Sequence, residues 1–270
     1  MSWWQALLLG LVEGLTEYLP VSSTGHLILV QRALGIAEGD AANAYAICIQ
    51  AGAIVAVLGL YRARVASMWR GLLGRDADGR RLLACIIAGF VPAAVLGLAF
   101  NDWIEARLFG LKPIVFAWFV GGVAILAVRG ARKGRDESAG LGLEALTPRA
   151  AVLIGLLQCV AMWPGTSRSL VTIVGGVLVG LRLSAAVEFS FLLGVVTLCA
   201  ATAYAGLKDG AVMLERDGPL SRAVGFVAAW VSAVIAVRWM VRWLQEHGMA
   251  VFGWYRILLA VGVSLWMIAG

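Results

Sequence analysis

The stretch Glu13-Gly14-Leu15-Thr16-Glu17-Tyr18-Leu19-Pro20-Val21-Ser22-Ser23-Thr24-Gly25-His26 breaks an otherwise apolar N-terminal segment, and its reading decides the architecture. Residues 2–19 read as a helix that stops at Pro20. A polar loop follows, and only about a dozen apolar-patterned residues remain before Gly35. A dozen helical residues reach only ~18 Å, well short of the ~30 Å hydrocarbon core of a bilayer. The segment therefore reads as a hairpin that dips into the membrane and returns. Its non-helical tip must be shielded by protein or water. Residues 149–182 repeat the plan: an apolar run to Trp163, then Pro164-Gly165-Thr166-Ser167-Arg168-Ser169, then a short apolar run to Leu181.

Composition sets the solvent. The 270 residues are 61% hydrophobic and 14% charged, with a mean hydropathy of +0.88. A soluble domain is about 45–50% apolar and about a quarter charged, so this is an integral membrane protein. Windows 43–61, 82–100, 113–129, 184–207, 221–241 and 251–270 are long enough to span. The expected fold is an all-α integral membrane protein of one catalytic domain. It has six transmembrane helices plus two re-entrant helical hairpins in an inverted-topology repeat, with halves at approximately 1–129 and 149–270. Weak internal similarity supports the repeat. Gly10-Leu11-Val12-Glu13 matches Gly155-Leu156-Leu157-Gln158, and after a one-residue slip Pro20, Ser22 and Ser23 match Pro164, Thr166 and Ser167. Three crossings separate the hairpins, which inverts one half and lets broken helices meet near the midplane.

The net charge of +6 reads as a topology signal, not as a nucleic-acid footprint. Arg62, Arg64, Arg70, Arg75, Arg80 and Arg81 follow the first span. Arg129, Arg132, Lys133, Arg135 and Arg149 follow the third, and Arg242 follows the fifth, whereas the loops around 101–112 and 208–222 mix both signs. By the Lys/Arg bias the first set is cytoplasmic. Both termini and the mouth of the first hairpin then face outward, and the second hairpin enters from the cytoplasm. No positive region precedes the first apolar stretch and Glu13 and Glu17 interrupt it, so no cleaved signal peptide is expected. Cys48, Cys85, Cys159 and Cys199 form no CxxC pair and read as packing residues.

Chemistry concentrates at the two breaks. Glu13 and Glu17 are one turn apart on one helix face. An intramembrane charge is unfavourable by about 2.5 to more than 10 kcal/mol, so such carboxylates mark a site. Ser22, Ser23, Thr24 and His26 follow. The hydroxyls can cap the next helix, and its N-terminus is an anion site. At the second break Thr166, Ser167, Arg168 and Ser169 also precede a short helix, and a guanidinium grips phosphate oxygens bidentately. If the hairpins meet, Arg168 lies against Glu13, Glu17 and His26. Glu188 reads equally as a partner for a buried arginine or as a secondary site residue, and Gln50 as a helix contact.

These residues carry a family resemblance. The stretch from Glu13 to His26 closely resembles the signature of the undecaprenyl-pyrophosphate phosphatases of the bacitracin-resistance type. Pro164-Gly165-Thr166-Ser167-Arg168-Ser169 resembles that family's second motif. Ile49-Gln50-Ala51-Gly52 and Glu188-Phe189-Ser190-Phe191-Leu192-Leu193 are also similar, while Leu170 stands where the family usually has glycine. The resemblance implies a bacterial inner-membrane enzyme that hydrolyses undecaprenyl pyrophosphate to undecaprenyl phosphate and inorganic phosphate. It thereby recycles the lipid carrier for cell-wall synthesis and deprives bacitracin of its target. Carried over, Glu13, Glu17, His26 and Ser23 are catalytic, and Arg168, Ser22, Thr24, Thr166 and Ser167 bind the pyrophosphate at a site open to the periplasmic side.

Two nucleophiles stay open. His26 is preferred as nucleophile or acid, with Glu17 as base or orienting group and Glu13 as supporting acid or metal ligand; Ser23 competes, with Glu17 or His26 as its base. A divalent cation, magnesium or calcium, suits two carboxylates beside a pyrophosphate, and no organic cofactor is expected. A homodimer is left open. The acid-phosphatase-like lipid phosphatases need a further His and Asp after the arginine, and residues 169–180 contain neither. The remaining alternative is a polyprenyl-phosphate transporter, with or without phosphatase activity, since inverted repeats with broken helices also serve transport.

Overall fold

The computed structural model describes residues 1–36, 40–108, 110–131, 140–215 and 218–269. Helix α1 (Trp3–Thr16) opens on a capping box in which Ser2 Oγ accepts from the Gln5 N–H and the Gln5 side chain accepts from the Ser2 N–H. It ends at Thr16 and not at Leu19. Pro20 has no N–H to give to the carbonyl four residues back and pushes its predecessor out of the helical region, so residues 17–21 turn. Then come α2 (Ser23–Ala33), α3 (Asp40–Leu60), α4 (Arg62–Leu72), α5 (Ala77–Leu108) and α6 (Leu111–Ala131). The second half holds α7 (Pro148–Gln158), continued by a 3-10 turn Cys159–Met162, then α8 (Arg168–Leu178), α9 (Leu183–Glu215), α10 (Pro219–His247) and α11 (Ala250–Ala269).

Among the described residues, five helices are long and apolar enough to cross a membrane: Ala77–Phe100, Leu111–Val128, Leu183–Gly206, Pro219–His247 and Ala250–Ala269. The protein is a multi-pass membrane protein. At the first expected span, Tyr45–Leu60 is long and apolar enough only together with α4, and the two are bent by 81° to each other, the geometry of a broken span or a re-entrant loop. Arg62, Arg64 and Arg70 therefore sit on a helix where a loop is expected, because Arg, Ala, Met and Leu are strong helix formers. Part of the orientation reading lies outside the described residues: Arg132, Lys133, Arg135, Arg216 and Asp217, and the side chains of Asp102, Glu105, Arg129, Lys208, Asp209 and Glu215.

Asp76 closes the turn from α4 into α5 as the cap of α5. It accepts from the Gly79 N–H at 2.8 Å and from Ser67 Oγ at 2.8 Å, with Arg70 at 3.6 Å. The Gly79 N–H first, then Ser67, and more weakly Arg70 hold its carboxyl below the usual aspartate range. A depressed folded-state value stabilises the fold above the unfolded value, and that stabilisation is lost as pH falls through the folded one. The melting-temperature gap between wild type and Asp76→Asn should therefore be widest at neutral pH and close below about pH 4. A gap unchanged from pH 7 to pH 3 would contradict this.

The two breaks share a backbone. Helices α2 and α8 are eleven residues each and are preceded by Ser22 (φ 73°) and Ser167 (φ 75°), the two non-glycine residues with positive φ among those described. These serines are 145 positions apart, the same offset that relates residues 10–13 to 155–158. The one-residue slip expected from matching prolines and serines is therefore absent. Ser22 corresponds to Ser167, Ser23 to Arg168 and Pro20 to Gly165. Side-chain identity misleads here because the shared property is the turn conformation.

Close helix contacts hold the breaks in place. A Cβ on Gly14 would lie 2.2 Å from the Ala229 carbonyl oxygen, and one on Gly10 would lie 2.3 Å from that of Gly225. Small residues thus let α1 seat directly on α10, as at other intramembrane helix pairs. Helix α8 packs on α9, and α6 pairs with α11.

Candidate active site

The two tips meet. The non-helical residues of the first expose carbonyls that no helix N–H can reach, and these are taken up by side chains from elsewhere. Leu19 O accepts from Ser169 Oγ (2.8 Å) and Ser167 Oγ (3.4 Å), Pro20 O from Arg256 Nη1 (3.1 Å), and Val21 O from Trp118 Nε1 (3.0 Å). At the second tip Gly165 O accepts from Arg256 Nη2 at 2.9 Å. Irregular backbone is tolerated at membrane depth only with such partners.

Glu17, the C-cap of α1, joins the tips chemically. Its Oε1 accepts from Arg168 Nη2 at 2.9 Å, and its Oε2 accepts a short hydrogen bond from Ser23 Oγ. Arg168 also donates Nη1 to Ser190 O at 3.1 Å, and its guanidinium carbon lies 5.3 Å from the Tyr18 ring centroid. Ser190 Oγ meets Thr172 Oγ1 at 2.6 Å. Glu13 is buried one helical turn behind Glu17 on the same helix face. Glu13 Oε1 and Arg168 Nε are both buried without a hydrogen-bond partner, which leaves one acceptor and one donor open beside the Ser23–Glu17–Arg168 chain.

His26 is held otherwise. Its Nδ1 lies 2.7 Å from Ser22 O, and a carbonyl only accepts, so Nδ1 carries the hydrogen. In the neutral ring Nε2 then accepts from the Tyr255 hydroxyl at 2.7 Å, with the two rings nearly parallel at 5.7 Å. Both nitrogens are engaged away from Glu17 and Arg168, beside which the sequence places the imidazole.

Of the other expected residues, Ser22 is buried and makes no side-chain cap. Thr24 is exposed and Thr166 is buried. The cap expected at the first tip is made at the second, where Ser167 Oγ accepts from the Leu170 N–H at 3.3 Å. Leu170 is 3% exposed and packs in the core. Glu188 pairs with Arg64 at 2.7 Å, a half-exposed arginine on α4, and Gln50 accepts from Thr202 Oγ1 at 3.5 Å.

The comparisons follow this geometry. The family model described as "Bacitracin resistance protein BacA" matches residues 6–262, which include both tips and the residues that hold them. The chain belongs to the BacA family. It is 44% identical to an undecaprenyl-diphosphatase of Sorangium cellulosum over 99% of this chain and 87% of that protein. It is 43% identical to undecaprenyl-diphosphatase 1 of Burkholderia cenocepacia over 97% of this chain and 96% of that one. An undecaprenyl-diphosphatase of Ectopseudomonas mendocina is 44% identical over 94% and 90%.

In this BacA family protein the sequence reading misses Tyr255 and Arg256. The signal was present, since an arginine inside the apolar window 251–270 marks a site by the same rule that singles out Glu13 and Glu17. For a metal, no group of three or more His, Cys, Asp or Glu occurs among the described residues. Both oxygens of Glu17 are occupied, so the site offers one free carboxylate oxygen, Glu13 Oε1. That fits a divalent ion completed by phosphate oxygens and water, and not an all-protein cage.

Proposed function

We propose that this BacA family protein is an undecaprenyl-diphosphatase that cleaves undecaprenyl pyrophosphate to undecaprenyl phosphate and inorganic phosphate where the two tips meet. The observation that carries this reading is the Ser23–Glu17–Arg168 chain, which joins a hydroxyl, a carboxylate and a guanidinium from opposite tips. The names of its relatives support the substrate. Arg168 and the N-termini of α2 and α8 bind the terminal phosphoryl group and stabilise charge on it, the dominant contribution in phosphoryl transfer. Glu17 takes the Ser23 proton while Ser23 Oγ attacks the terminal phosphorus. The bond to the bridging oxygen breaks and undecaprenyl phosphate leaves. Water then attacks the phosphoserine: its oxygen bonds the phosphorus and both its hydrogens leave with the inorganic phosphate, while the Ser23 O–P bond breaks and Glu17 returns the first proton to Ser23 Oγ. Engagement of both His26 nitrogens favours Ser23 as the attacking atom and gives the imidazole the task of shaping the Ser22 backbone. Glu13 is the residue that would hold a divalent ion, which would supply charge neutralisation at the pyrophosphate.

The reading places the protein in the bacterial inner membrane, with six crossings, two re-entrant hairpins of opposite entry side and a site open to the periplasm. Consumption of the pyrophosphate form recycles the carrier and removes the target of bacitracin.

The test is phosphate release from undecaprenyl pyrophosphate by the purified protein in detergent, with mass spectrometry of acid-quenched enzyme. Ser23→Ala should lose about 10³-fold or more in kcat, His26→Ala distinctly less, and wild type should carry a phosphoryl group on Ser23. Normal turnover by Ser23→Ala, or a phosphoryl group on His26, would overturn the serine assignment.

A further inference from the structure

Arg256 has no part in the reaction as written, yet it is the most deeply placed cation described. It is 0% exposed, it projects from the apolar helix α11, and all its hydrogen bonds go to backbone carbonyls. Nε donates to Trp118 O (3.3 Å), Nη1 to Pro20 O (3.1 Å), and Nη2 to both Ala117 O and Gly165 O (2.9 Å each). A buried charge without an anionic partner is strongly disfavoured unless its polar atoms are fully used. Here they are used at particular places. Pro20 and Gly165 are corresponding residues of the two tips, and the other two carbonyls belong to α6.

We infer that Arg256 is a positioning residue, a strut that fixes the two tips to each other and to α6 so that Arg168 on one meets Glu17 and Ser23 on the other. It rests on the assignment of those three residues to the reaction. Pro20 lies three residues from both Glu17 and Ser23, and Gly165 three from Arg168, so a shift at either carbonyl is transmitted directly to the 2.9 Å Arg168–Glu17 contact. A planar five-donor fork can span these carbonyls, whereas a lysine ammonium is a point donor. The space for the fork is made by Gly121 of α6, where a Cβ would fall 2.2 Å from Nη2, the nitrogen that holds Gly165.

The test assays Arg256→Lys, Gly121→Ala, Arg168→Lys, the Arg256→Lys/Arg168→Lys double variant and Ser23→Ala, alongside thermal stability and size-exclusion profiles. Arg256→Lys and Gly121→Ala should each lose about 10²-fold in kcat, the scale of an ångström-sized misplacement, with KM changed less than about threefold. The double variant should be little worse than the slower single one, because both act through one contact. A purely structural role predicts multiplying losses. Wild-type turnover in Arg256→Lys and Gly121→Ala overturns the strut, and so does failure of both to give monodisperse protein, which would make Arg256 a folding residue. If Ser23→Ala turns over normally while the Arg256 and Gly121 variants fail, the catalytic assignment falls and not the strut.

Discussion

Glu17→Gln is expected to lower kcat for phosphate release by about 10³-fold, within the range produced by removing a positioned base, and to leave KM within a few-fold. The substitution isolates the proton-accepting task. The glutamine oxygen can still accept from Arg168 Nη2, which Glu17 engages at 2.9 Å, but the amide cannot take the proton that Ser23 Oγ offers to Oε2. Glu17→Ala is a poorer experiment, because removing one partner of a buried pair destabilises by about 3–5 kcal/mol and mixes folding with chemistry. Glu13→Gln serves as the comparator. Glu13 stands one turn behind Glu17, outside the Ser23–Glu17–Arg168 hydrogen-bond chain, so its neutralisation should lose clearly less activity. Equal losses in the two variants would deny Glu17 its separate role.

Gly194→Ala should abolish most turnover. A Cβ on Gly194 would lie 1.8 Å from Arg168 Nη1 and 2.5 Å from its guanidinium carbon. Arg168 must swing away, giving up Ser190 O through Nη1 and Glu17 through Nη2. The expected loss in kcat/KM is about 10²- to 10³-fold, the scale of losing one donor aimed at the reacting group. The melting temperature should fall with the lost Glu17 pairing, offset only in part by alanine's advantage over glycine in a helix interior of about 0.5–1 kcal/mol. The check is a melting curve beside a phosphate-release assay. Full activity in Gly194→Ala would mean that Arg168 need not occupy the observed pose.

The long apolar windows, the two interrupted segments and the pairing of Arg168 with Glu17 could be read from residue types, because burial of charge and the length needed to cross a bilayer are local properties. What escaped is conformational or long-range. Matching Pro20 with Pro164 puts the second motif one residue out, since nothing in a serine announces that its φ is positive; Ser22 and Ser167 reveal it only as coordinates. The bend after Leu60 is hidden because arginines suit a loop and a helix equally well. His26 goes to Tyr255, 229 positions away, a separation that no spacing rule spans. Arg256 was visible as a charge in an apolar window, but its acceptors are main-chain oxygens, which carry no residue signature.

The shared turn has one more consequence. Ser23 and Arg168 are the first residues of equivalent helices, so in the proposed reaction a single structural address carries an oxygen that attacks in one copy and a cation that restrains in the other. An assembly of two identical halves would have to place the same side chain at both addresses, giving two hydroxyls with nothing to hold the phosphate or two guanidinia with nothing to strike it. Division of labour between the copies requires that both be encoded in one polypeptide, where each can diverge alone.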